Sequence, residues 1–347
     1  MTEAQQATTT VPGPVLRLRE FAHSAACAAS VRAAALLGLP EALGDEPASP
    51  ADLAAAVGAD PDATARLLRS LAVHGVFTED ADGNYAHTPE SRLLREDAPH
   101  SIKYNVLWAT EPWTWELLQH LDEGVRTGKA VFPSLHGGEE FFSHLHSHTP
   151  RSAEVFDKAM TQSSHLSARA IAERLDLSGA GTVADIAGGQ GLVLATLLEK
   201  HAGLHGTLLD LPNVVANPDP RLAAGGAFAS RTRLLPGDCL QGIPVEADVY
   251  IFKNILEWDD ESTVTALRNA VAAGRPGARV IVIENLVDGS PEMKFTTAMD
   301  LLLLLNVGGK KHTRKGLAAL MEKAGLRVDR ISAVNSYLHM FEAVIPG

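Results

Sequence analysis

The sequence predicts an α/β protein: a doubly wound, mostly parallel sheet preceded by a smaller, mostly helical unit of winged-helix pattern. Three observations carry this. From Thr182 onward, four short β-rich runs (TVADIA, GTLLDL, ADVYIF and RVIVIEN) alternate with helical stretches. Before about residue 100 the apolar residues keep a helical period and end in one small hairpin. At a prior of ~150 residues per domain, 347 residues point to two domains.

Taken in order, residues 1–10 are polar and threonine-rich and are expected to be disordered. Leu16 to Leu43 follows helical spacing, interrupted at Gly38-Leu39-Pro40, and its Ala, Leu and Val side chains suit a packed or partner-facing helix pair. Ser49 caps a short helix with Pro50 at its first position. Asp60-Pro61 opens a second helix, with Ala65, Leu68, Leu71 and Ala72 as its apolar positions. Val76-Phe77-Thr78, a turn at Asp82-Gly83-Asn84, and Tyr85-Ala86-His87 complete a hairpin. Residues 100–175 read as helical and aromatic-rich. The expected boundaries are 1–105, a helical linker over 106–170 that contributes to a substrate pocket, and 171–347 for the sheet domain.

Charge excludes some functions. The chain has 30 Lys+Arg against 42 Asp+Glu, a net charge of -12. Residues 1–105 hold 8 basic and 14 acidic residues, so neither part carries a basic arm. Nucleic acid and anionic membrane are therefore disfavoured as partners, because phosphate binding needs clustered cations. Within Ser49 to Arg95 there are 4 basic and 7 acidic residues, and the candidate recognition helix offers only Arg66 and Arg69. A structural role fits this segment better than DNA reading. Two cysteines, Cys27 and Cys239, cannot build a disulfide framework or a cysteine-based zinc site. The N-terminus shows no secretory signal, and the longest aliphatic run, Leu301 to Leu305, is too short to span a bilayer. A reducing cytoplasm is the expected compartment.

The chemistry begins at Val183-Ala184-Asp185-Ile186-Ala187-Gly188-Gly189-Gln190-Gly191, which runs from an apolar strand through a glycine turn into a helix over Leu192 to Lys200. Glycines admit close backbone approach, and the helix N-terminus presents free N–H groups. Leu208-Leu209-Asp210 ends the next strand, where an acid can accept both ribose hydroxyls. Asp238 of Gly237-Asp238-Cys239, after the following β segment, can accept from an adenine amino group. The dinucleotide fingerprint wants glycine where this chain has Leu194, and Asp185 would repel a pyrophosphate but attract an ammonium. The cofactor that charge predicts is a nucleoside with an ammonium and no phosphates, which S-adenosylmethionine satisfies.

The ordered motifs DIAGGQG, TLLDLPNVV, PGDCL, KNILEWDDE, VIVIEN, MDLLLLLNVGGKKHT and LMEKAGL resemble the small-molecule O-methyltransferases, the plant caffeate-type enzymes and their actinomycete polyketide-tailoring relatives. The resemblance covers essentially the whole chain. It implies a Rossmann-like class I methyltransferase fold, an N-terminal winged-helix-like dimerisation domain and a homodimer. It implies S-adenosylmethionine as cofactor, S-adenosylhomocysteine as product and a small aromatic substrate. By the same resemblance Asp185, Gly188, Gly189, Asp210, Leu211, Asp238, Cys239 and Lys253 line the cofactor site, with Ser164 entering from the preceding helix. Phe156, Met160, Trp258, Met299 and Asp300 are expected near the substrate. Cys239 is read as adenine packing rather than a nucleophile.

Two departures matter. Relatives typically read Lys-x-x-Leu-His-Asp-Trp after the fourth strand, whose histidine is the general base. This chain reads Lys253-Asn254-Ile255-Leu256-Glu257-Trp258-Asp259, one residue short and without the histidine: counted from Lys253, Glu257 takes the histidine's place, and counted from Trp258, the aspartate's. Relatives also have Gly-Gly-Lys-Glu-Arg-Thr where this chain has Gly308-Gly309-Lys310-Lys311-His312-Thr313. The flanking acid is thus Lys311, while the other is kept as Glu284. General bases contribute about 10²–10⁴-fold, so a base swap need not abolish activity. Glu257 or His312 is the expected proton acceptor, assisted by Glu284 and a lysine that lowers the phenol's pKa.

The expected reaction is methylation of a phenolic hydroxyl on an aromatic polyketide-type natural product, such as an orsellinic-acid-like moiety. Two alternatives stay open: a non-methylating member using the cofactor in hydroxylation, decarboxylation or a pericyclic step, and a winged-helix transcription regulator. His144, His146 and His148 lie beside Phe141 and Phe142, and His144 and His148 are one helical turn apart. With no acid or cysteine at the intervening spacing, they read as a polar helix face or pocket wall, and no metal is expected.

Overall fold

A computed structural model of the protein describes residues 11–289 and 293–347. The polar segment expected to be disordered, residues 1–10, lies outside them. The chain divides after Thr110 into two compact units.

In the first unit a helix runs over Gly13–Leu37 and stops where Gly38 turns left-handed at φ 73°, donating its N–H to Ala34 O. A second helix, Leu39–Leu43, follows at once. Glycine takes that backbone region without steric cost, which explains the break in the apolar pattern. The Ser49 hydroxyl accepts the Asp52 N–H and caps the Pro50–Val57 helix. Asp60 likewise accepts the Ala63 N–H at 2.9 Å and caps Pro61–Val73. Strands β1 (Phe77–Glu79) and β2 (Tyr85–His87) pair antiparallel, with Phe77 opposite His87. Leu39, Leu53, Leu68, Leu71, Phe77 and Tyr85 form the core. The expected inward position Ala65 is only half-buried; Thr64 is buried instead, because the inward stripe of this helix passes through Thr64, Leu68 and Leu71. On the first helix, Leu18 and Phe21 are each 69% exposed.

The second unit holds a seven-stranded sheet. Its strands are β3 (Thr182–Ile186), β4 (His205–Asp210), β5 (Thr232–Pro236), β6 (Val249–Lys253), β7 (Arg279–Asn285), β8 (Arg327–Ala333) and β9 (Leu338–Val344). Their order is β5-β4-β3-β6-β7-β9-β8. β3 to β7 run parallel, while β9 is antiparallel to both β7 and β8. The β8–β9 hairpin closes one edge and was not anticipated: Arg327–Ala333 alternates charged and apolar residues weakly, as an edge strand does. Apolar layers cover both faces. The helices Asp260–Ala273 and Arg314–Lys323 pack on one, and Ala168–Arg174 with Leu192–Lys200 on the other. Each core strand is therefore an almost unbroken apolar run.

Leu194 sits fully buried where a dinucleotide fingerprint would carry glycine. The missing glycine has a counterpart across the contact: a Cβ on Gly206 of β4 would lie 2.5 Å from Leu194 Cδ1. Close helix–strand packing is kept with the small residue on the strand. Among the described residues, no helix is long and apolar enough to cross a membrane.

Candidate active site

Strand order reverses between β3 and β6, so their following loops diverge and open a crevice at the carboxyl ends. Both strand ends carry a non-glycine residue in the left-handed region, Ala187 at φ 49° and Asn254 at φ 51°. Each still donates its N–H to a neighbouring strand, Ala187 to Leu209 O at 2.7 Å and Asn254 to Ile283 O at 2.9 Å. Such backbone is held only where surrounding structure fixes it, and it clusters at functional sites.

Asp185, one residue before the end of β3, is almost wholly buried, and its Oδ2 finds no hydrogen-bond partner. Burial pushes its pKa up from 3.8 to about 7, opposed by the Lys253 charge and helped by Asp210. A Cβ on Gly188 would fall 2.5 Å from this carboxyl group, so glycine is required beside it. Asp210 ends β4 and accepts N–H groups from Gly189 at 2.8 Å and Leu211 at 2.7 Å. Burial nevertheless raises it to about 6. Asp238 takes the Leu240 N–H, while burial first, then Asp238 and Asp210, push the Cys239 thiol up to about 12. That side chain is 4% exposed and packed within the apolar core of the sheet. Lys253 ends β6 and reaches Ser164 Oγ at 3.3 Å. Burial lowers its pKa against the pull of Glu284, Asp185 and Glu257. An acidic lining with one buried, unpartnered oxygen, Asp185 Oδ2, fits a cofactor with an ammonium group and diol oxygens, and it does not fit a phosphate.

The helix Pro150–His165 is tied to this corner twice, by Ser164 on Lys253 and by Thr161 Oγ1 donating to Gln190 Oε1 at 2.8 Å. Phe156 and Met160 are half-buried on the same helix, and Phe156 meets Phe142 edge-on. Asp157, which sequence reasoning missed, has its pKa raised by burial and lies close enough to raise that of Asp210.

A second cluster spans the ends of β6 and β7. Glu284, 2% exposed, accepts the Ile255 N–H at 3.0 Å and the Leu256 N–H at 3.1 Å on one oxygen. Its other oxygen lies 3.9 Å from Lys311 Nζ. Burial raises the pKa of Glu284, partly offset by Lys311. Lys311 Nζ donates to Glu257 Oε1 and Asn285 Oδ1. Its backbone N–H is held by Asp300 at 2.6 Å. Gly309 permits all this: a Cβ there would meet Glu257 O at 1.8 Å. Glu257, Glu284 and Asp300 are thus joined through Lys311, which the sequence marks only as a cation. Asn285 was missed altogether.

His312 is placed differently. Its Nε2 donates to Leu256 O at 2.8 Å, and it makes no hydrogen bond to Glu257 or Glu284. Burial lowers its pKa. Trp258 packs partly buried against the sheet core, and Met299 is half-buried on the helix Met293–Val307.

Fold and acidic cradle define a class first: an S-adenosylmethionine-dependent methyltransferase. The chain belongs to the O-methyltransferase family. Its O-methyltransferase domain matches residues 118–327, and an O-methyltransferase dimerisation domain matches residues 20–97. It is similar to the mitomycin biosynthesis 6-O-methyltransferase of Streptomyces lavendulae, 39% identical over 305 residues, covering 87% of this chain and 86% of the relative. The solved mitomycin 7-O-methyltransferase superposes with a TM-score of 0.86 at 36% identity, covering 96% of this chain and 98% of the other. An O-methyltransferase from neocarzinostatin biosynthesis, solved with S-adenosylmethionine and 2-hydroxy-5-methyl naphthoic acid, gives 0.77 at 30% identity over 92% and 96%. The protein is an O-methyltransferase of the polyketide and antibiotic tailoring type, acting on hydroxyl groups.

Proposed function

We propose that the enzyme methylates a phenolic hydroxyl on an aromatic polyketide-type natural product, an orsellinic-acid-like ring with a carboxyl group beside the hydroxyl. The observation that carries this reading is the Glu257–Lys311 pair, which Asn285 and Glu284 flank. Where the resembling enzymes carry histidine and glutamate, this chain carries a carboxylate and an ammonium. A neutral pair repels an acidic acceptor less than a histidine–glutamate pair does. The neocarzinostatin relative, solved with a hydroxynaphthoic acid, supports an acceptor of this kind.

Asp185 would hold the cofactor's ammonium, Asp210 its ribose and Asp238 its adenine. Gly188, Gly189 and Leu211 would line it, with Cys239 packing on the adenine and Ser164 and Lys253 closing the far side. The cofactor, when bound, supplies a methyl group made electrophilic by a sulfonium. Glu257 accepts the phenol proton as the oxygen's lone pair becomes committed. Lys311, paired with Glu257, would stay beside the acceptor oxygen as its proton leaves. Burial holds Glu284 toward its neutral form, which leaves the Lys311 charge for Glu257 and the acceptor. His312, its Nε2 proton donated to Leu256 O, steadies the 254–258 loop. Phe156, Met160, Trp258, Met299 and Asp300 position the ring, and holding acceptor oxygen against the methyl supplies much of the acceleration. The protein works as a homodimer through its N-terminal unit, whose first helix leaves Leu16, Leu18 and Phe21 exposed.

The test is transfer of labelled methyl from S-adenosylmethionine to orsellinate-type phenols. Labelled product is expected, and E257Q is expected to lower kcat by about 10²–10⁴-fold. Product without label would overturn the transferase reading for these phenols. An unchanged E257Q would remove Glu257 as the proton acceptor.

A further inference from the structure

The loop before the helix Phe141–His148 contains two successive glycines in left-handed backbone, Gly137 at φ 65° and Gly138 at φ 90°. They fold the chain back, and the turn is fixed by the Gly138 N–H on Pro133 O and the Glu139 N–H on His136 O. This returns Glu139 to the helix. The carboxylate bridges two imidazoles: Oε2 lies 2.8 Å from His144 Nδ1, and Oε1 lies 3.1 Å from His148 Nε2. One ligand atom from each of the three residues lies within 4.8 Å of the others. Spacing along the helix shows only the two histidines; the acid arrives from outside it, which is why the sequence reads as metal-free there.

We propose that Glu139, His144 and His148 bind a divalent transition-metal cation of the zinc type. Two imidazoles one turn apart and one carboxylate form a nitrogen–oxygen donor set that zinc takes at ~2.0–2.2 Å, with a fourth position for water. Carboxylate–imidazole separations of 2.8 and 3.1 Å, with all three donor atoms within 4.8 Å of one another, gather them around one point. Side-chain exposures of 44%, 21% and 54% leave the site open to solvent for loading. The surroundings favour order. His144 packs against the rings of His136 and Phe132, with centroids 4.6 and 5.4 Å away. The site also touches function, since Phe142 of the same helix meets Phe156 at 5.7 Å between centroids. A bound cation would brace that helix behind the wall assigned to the acceptor, without entering the methyl transfer.

The experiment uses the full-length, untagged protein, stripped with chelator and titrated with Zn²⁺ by calorimetry and with Co²⁺ by visible absorption. One equivalent of Zn²⁺ is expected, together with a cobalt spectrum of tetrahedral intensity. H148A and E139Q, whose side chains are largely exposed, are expected to lower Zn²⁺ affinity at least tenfold with unchanged circular dichroism. Absence of stoichiometric binding overturns the proposal, as does binding that H148A and E139Q leave untouched. In either case the three side chains form only an ion-paired staple. The outcome is independent of which acceptor the enzyme methylates.

Discussion

At the scale of single residues, Asp185 carries the clearest pH signature. Its pKa rises from 3.8 to about 7 on folding, chiefly through burial. The native state of the cofactor-free protein therefore binds a proton that the unfolded chain releases. The stability from that proton is complete below about pH 3.8 and is lost as pH rises through about 7. A ligand ammonium has the opposite demand, because it favours the ionised carboxylate. Affinity for S-adenosylmethionine is expected to fall roughly tenfold per pH unit below about 7 and to level off above it. Calorimetry from pH 5.5 to 8.5 would check this, and D185N should lose both affinity and slope. A slope that survives in D185N would move the ammonium contact elsewhere. Asp185 and Asp210 were legible from the sequence because each lies at or next to the end of a strand of recognisable apolar pattern, and Glu284 through the resemblance of VIVIEN to the family's motif. Asn285, Asp157 and the partnership of Glu257 with Lys311 were not. They depend on which side chains three separate segments bring together, and no local period encodes that.

At the scale of elements, packing of the Leu192–Lys200 helix on β4 rests on a size match between Leu194 and Gly206. G206A inserts a methyl group into a filled contact and is expected to destabilise the protein by about 1–3 kcal/mol. L194A alone opens a cavity and should cost about 2–5 kcal/mol. The double variant should be less destabilised than the sum, because each change relieves the other. Urea unfolding of the four proteins closes that cycle, and strict additivity would mean that the contact does not set the spacing. Sequence reading found this helix to the residue, since glycines and Lys200 punctuate both ends. It overlooked the β8–β9 hairpin, whose solvent-facing edge dilutes the two-residue alternation.

At the scale of the whole molecule, exposed Leu18 and Phe21 on the first helix belong to a chain of net charge -12. A protein so acidic resists casual association, so those side chains call for a specific apolar partner surface. Sedimentation is expected to show a dimer, and L18D/F21D is expected to yield monomers with an unchanged circular dichroism spectrum. Monomeric wild-type protein would remove the homodimer. The Lys311 junction also ties the charges at two separate positions together. K311E alone would crowd three carboxylates into one buried place, and E257H alone would strip the lysine of its closest counter-charge. E257H/K311E together would again pair a basic with an acidic side chain, with about 0.5–3 kcal/mol of coupling between the two changes. The two positions are therefore interdependent: neither can change its charge alone without leaving an uncompensated charge in a place closed to water.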